Sequence, residues 1–159
     1  FGGKRELDEE AFVACIGPRA ERLRAVAAAG GSPLERLEGA VGLFVDYLEE
    51  RPELPQLMLQ ETVAGRRPPP RALALLRGVL GALAGVIEEG QAVGEIRAGD
   101  PRLMAVSVVS QPLHLVMATR VIEGLEPGEA ETRGRILAHA RAFIRHGLEP
   151  APGSPGEEG

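Results

Sequence analysis

Apolar residues recur along this chain at three-four spacing, and no segment of note alternates with period two. That is the signature of helices, and it predicts an all-α fold of about six of them. The first helix is expected over about 4–29, with Leu7, Ala11, Ala14 and Cys15 on one face. Pro18 removes a backbone donor inside it and predicts a kink at Gly17-Pro18. Ser32-Pro33-Leu34-Glu35 is a capping box with proline at the first helical position. It opens a helix whose inward stripe is Leu34, Leu37, Val41, Phe44, Val45 and Leu48. A short third helix is predicted over 53–64, and a polar, proline-rich connection follows it. A fourth, over about 70–89, carries two stripes. One is Leu73, Leu76, Leu80, Leu83 and Ile87; the other, about 100° away, is Ala74, Gly78, Gly81 and Gly85. Gly94 to Pro101 supplies a turn, an aspartate cap and a proline start. The fifth helix, over 101–123, is apolar around most of its circumference, which predicts burial on more than one side. The last is expected over 129–146, with Ile136, Leu137, Ala140, Phe143 and Ile144 inward and Gly147 as its cap. Beyond Pro150 only Pro, Gly, Ser, Ala and Glu remain, and that tail is expected to be disordered.

Composition narrows the function. The chain has 159 residues, enough for one domain that buries roughly 68–70% of its unfolded surface. Aromatics make up only 3% and Trp is absent, so the core must be aliphatic. A formal charge of −5 argues against a surface that grips nucleic acid unaided. One cysteine, Cys15, allows no internal disulfide, as expected of a reducing cytoplasm. No signal peptide and no run of 18 apolar residues is present, so a soluble cytoplasmic protein without membrane contact is expected. The basic residues are nearly all Arg, a bias that points to a high-GC bacterial genome.

No catalytic constellation stands out, and no enzyme is expected. Gly-x-Ser-x-Gly, the phosphate-binding Gly-x-x-x-x-Gly-Lys and His-Glu-x-x-His are all missing. His114, His139 and His146 do not sit at metal-ligand spacing with carboxylates, and no cofactor or metal is implied. Cys15 is read as a small core residue. Glu61 beside Leu57 and Met58 either pairs with an Arg or reaches solvent, or else meets a cationic or hydrogen-bonding ligand. Ser107, Ser110, Gln111 and His114 form one polar stripe on the fifth helix. It fits a solvent edge, a dimer axis or polar contacts in a pocket. Three glycines in one helix cost roughly 1 kcal/mol each against alanine, which either close helix packing or room for a ligand would explain.

Four short motifs carry a family resemblance. They are Phe1-Gly2-Gly3-Lys4 with Leu7; Arg51-Pro52-Glu53-Leu54 followed by Glu61; Glu89-Gly90 through Gly94-Glu95-Ile96-Arg97 before Asp100-Pro101; and Phe143-Ile144-Arg145-His146-Gly147-Leu148. In that order they resemble the C-terminal region of TetR/AcrR-type transcriptional regulators across almost the whole chain. Each alone is weak, and the family's N-terminal helix-turn-helix is missing from this chain. The resemblance implies residues 1–7 as the remnant of a junction with that DNA-reading domain, 8–148 as a ligand-binding and dimerisation domain, and 149–159 as a tail. It implies a homodimer through the last two helices, a hydrophobic small-molecule effector, and operator DNA held through the missing domain. Lys4 would touch a phosphate in the intact protein. The effector site is then expected at Phe44, Leu48, Leu57, Met58, Glu61, Leu83, Val86, Val108, Gln111 and Leu115, the faces that should meet in an inner bundle. The dimer contact is expected at Leu113, Met117, Ile136, Ala140 and Phe143. The expectation is a ligand-responsive regulator, a repressor. Its rivals are a free-standing helical binding or scaffold module and, more weakly, a small helical enzyme.

Overall fold

The computed structural model describes residues 3–51, 53, 56, 60, 63–65, 68–123 and 130–151, and the side chains of all of these except 4–8, 120–123 and 130. Five helices and no strand occur among them, so the chain is all-α. They are α1 (Lys4–Ala27), α2 (Pro33–Glu50), α3 (Pro70–Ala92), α4 (Pro101–Glu123) and α5 (Ala130–Leu148). Most of the helix expected over 53–64 lies outside the described residues.

Local sequence sets the helix starts. The Ser32 hydroxyl accepts from the Glu35 amide at 3.3 Å, and the Glu35 carboxylate accepts from the Ser32 amide at 3.0 Å. Both limbs of the capping box are therefore made, which fixes where α2 begins. Asp100 Oδ1 accepts from the amides of Arg102 at 2.8 Å and Leu103 at 3.2 Å and caps α4 in the same way. The helix ends differ from expectation. α1 runs through Pro18 without a break and stops at Ala27, not Ala29. α3 continues to Ala92. There Gly94 takes φ +76°, so the amides of Glu95 and Ile96 can turn back to the Gly90 carbonyl at 2.9 and 3.1 Å. A Cβ on Gly90 would meet Ile96 Cδ1 at 2.5 Å, so glycine is required where Ile96 folds over the helix end. Gly147 does not end α5, which runs on to Leu148. Arg97 serves that end instead: its amide donates to the Leu148 carbonyl at 2.8 Å and its Nε to that of Gly147 at 2.7 Å.

Packing places α2 at the centre. It contacts each of the other four helices, and Leu37, Val41, Val45 and Leu48 are 0–2% exposed. α1 lies against α3 and α2; α4 lies against α3, α2 and α5. Arg36 ties three helix ends together. It donates through Nε to the Ala27 carbonyl at 2.8 Å and to the same carbonyl through its second nitrogen, and its remaining arm meets Glu89 at 2.6 Å. Arg145 pairs with Glu38 and Arg133 with Asp46, which joins α5 to α2. Solvent screens such half-exposed pairs, so they orient α5 on α2 more than they stabilise it. The buried stripe Ile136, Ala140, Ile144 and Leu148 holds that interface.

Ile136 and Ala140 were expected at a dimer contact, yet they are 6% and 0% exposed within the single chain. They lie on the stripe that α5 turns to the core, so the outward face of α5 is a different one. Phe143 is on it, 58% exposed, with its ring stacked on His139 at 6.2 Å.

The glycines of α3 also differ from both readings offered for them. A Cβ on Gly78, Gly81 or Gly85 meets nothing within 4 Å, and Gly81 and Gly85 are exposed. Gly81 and Gly85 face outward, and among the described residues no neighbouring helix comes close to any of the three. α3 is long and apolar enough to cross a membrane by length and composition, but Leu83, Ala84, Val86 and Ile87 are built into the common core. This arrangement is compatible with a soluble protein.

Candidate functional site

Where α1, α2, α3 and α4 converge they leave a partly enclosed cavity of about 180 Å³. Each helix presents one sector of its wheel. α1 contributes Ile16, Arg19, Ala20 and Leu23; α2 contributes Ala40, Val41, Phe44, Tyr47 and Leu48. α3 adds Leu75, Leu76, Val79, Leu80 and Leu83, and α4 adds Val108, Val109 and Leu113. The walls are almost wholly aliphatic, the usual make-up of a small-molecule site. The volume is below the several hundred Å³ expected of a sensor, and closer to the ~150 Å³ that accommodates benzene in an engineered core.

Of the expected effector residues, Phe44, Leu48, Leu83 and Val108 line this cavity. Leu57, Met58 and Glu61 lie outside the described residues, as does the side chain of Lys4. Three others are elsewhere. Val86, 3% exposed, packs in the solid part of the core. Gln111 and Leu115 border a shallow open depression on α4, with Ser107, Ser110, His114 and Ala118. The reason is helical phase. Val108, Val109 and Leu113 span a sector of about 140° on one side, and at about 100° per residue Gln111 and Leu115 fall past Val108 on the other side. Leu113, expected at a dimer contact, belongs to the inner sector for the same reason; Met117 is half-buried. The polar stripe of α4 is therefore on its outer face. Two of its members are satisfied locally, Ser107 by the Leu103 carbonyl at 3.0 Å and His114 by that of Ser110 at 2.8 Å.

Sequence reasoning missed the α1 wall and Tyr47. Ile16, Ala20 and Leu23 do follow helical spacing, but Pro18, Arg19 and Arg22 between them hide the stripe. Tyr47 follows Phe44 by three residues and precedes Leu48, a position that would have found it. Cys15, expected in the core, is half-buried, and its carbonyl accepts from Arg19 at 2.9 Å.

Two of the lining residues, Arg19 and Tyr47, belong to a small polar cluster beside the cavity. The Arg19 guanidinium lies 4.7 Å from the centroid of the Tyr47 ring. The same side chain reaches Glu50 at 3.4 Å. The Tyr47 hydroxyl oxygen is buried and has no hydrogen-bond partner. Burial, and next the neighbouring Cys15 thiol, push the phenol up to about 12, against opposing pulls from Arg19 and Arg51. The phenol is therefore a neutral donor at physiological pH. One consequence is measurable. The unfolded chain releases this proton near pH 10, while the fold holds it to about 12. The fold should lose stability as pH climbs through that window. Tyr47→Phe should flatten this alkaline decline in circular-dichroism melts; an unchanged decline would show that the phenol is not held neutral.

Compared with known proteins, the chain matches no family model and no curated protein.

Proposed function

We propose that this chain is the effector-binding and dimerisation part of a ligand-responsive transcriptional regulator of the TetR type, a repressor. One observation carries the reading: a nearly all-aliphatic cavity at the meeting of four helices in an all-α chain. The resemblance of the four short motifs agrees with it. Leu103 at 67% and Val106 at 43% exposure on α4, with Phe143 on α5, offer apolar surface for a second copy. In this reading the effector is a hydrophobic small molecule in the inner cavity. The last two helices form the homodimer, and operator DNA is held by a preceding helix-turn-helix domain in the cytoplasm.

Sedimentation at micromolar concentration tests the dimer. The native chain should sediment as two copies, and Phe143→Glu combined with Leu103→Glu should sediment as one with the helices intact. An interface of that kind is expected to bury roughly 2,000 Å² or more, so a native chain that is monomeric throughout would remove the architecture. The formal charge of −5 favours a second reading, a free-standing helical small-molecule-binding module without DNA-binding activity. The coding sequence upstream of Phe1 separates the two. A basic segment with helix-turn-helix patterning supports the regulator, and any other continuation supports the module.

A further inference from the structure

We draw no further inference here: the strongest candidate, the outward apolar patch of Leu103 and Val106 on α4 with Phe143 on α5, belongs to the self-association surface already proposed, and nothing among the described residues shows what else covers it.

Discussion

Leu37→Ala should lower the stability of the fold by about 2–5 kcal/mol, whereas Leu80→Ala should cost only about 1–2 kcal/mol. The substitutions delete the same atoms, so the difference reports on surroundings. Leu37 is 0% exposed at the centre of α2, packed among the buried residues of the core. Truncation there loses the transfer energy of the removed atoms and leaves a new hole besides. Leu80 already borders the cavity, so part of its surface has no partner atoms to lose. Chemical denaturation of the two variants measures the gap. Leu80→Ala should also enlarge the cavity and admit probes larger than a single substituted ring. Equal losses of stability would mean that the space beside Leu80 closes in solution.

Replacing Gly78, Gly81 and Gly85 together by alanine should stabilise the protein by about 1.5–3 kcal/mol. Each exposed glycine in a helix interior costs roughly 0.5–1 kcal/mol against alanine, chiefly through the freedom it keeps in the unfolded chain. An added Cβ at each site meets nothing within 4 Å among the described residues, so no clash with them opposes the gain. Thermal melting reads it directly. A fall in melting temperature would show that another surface presses on this face of α3 in solution and requires the small residues.

These two predictions also mark where sequence reading works and where it stops. The limits of α2 are legible, because Ser32, Pro33 and Glu35 act through neighbours in the chain. The inward stripe of Leu37, Val41 and Leu48 is legible because a continuous apolar face must be buried. What a helix turns to each particular neighbour is not encoded in its own periodicity. Gln111 and Leu115 lie within about 60° of Val108 on the same wheel, and only the placement of the neighbouring helices decides which side of Val108 faces the cavity. Ile136 and Ala140 look as suited to a partner chain as to the core, until the contact of α5 with α2 takes them inward. The α3 glycines have no side chains to state a preference at all. α1 shows the opposite failure, since its cavity residues are periodic but interrupted by arginines whose aliphatic stems and charge face different surroundings.

The composition of the cavity wall has one further use. Tyr47 is the single tyrosine of a chain without tryptophan. Practically all of its intrinsic ultraviolet fluorescence therefore originates at one phenol, half-buried between α1 and α2 and overlaid by a guanidinium. Displacement of Arg19 or exclusion of solvent from the ring would each alter the intensity or lifetime of that emission. The chain thus carries a native optical reporter in the wall of its cavity, and a change there can be followed on the unmodified protein without a dye or an added label.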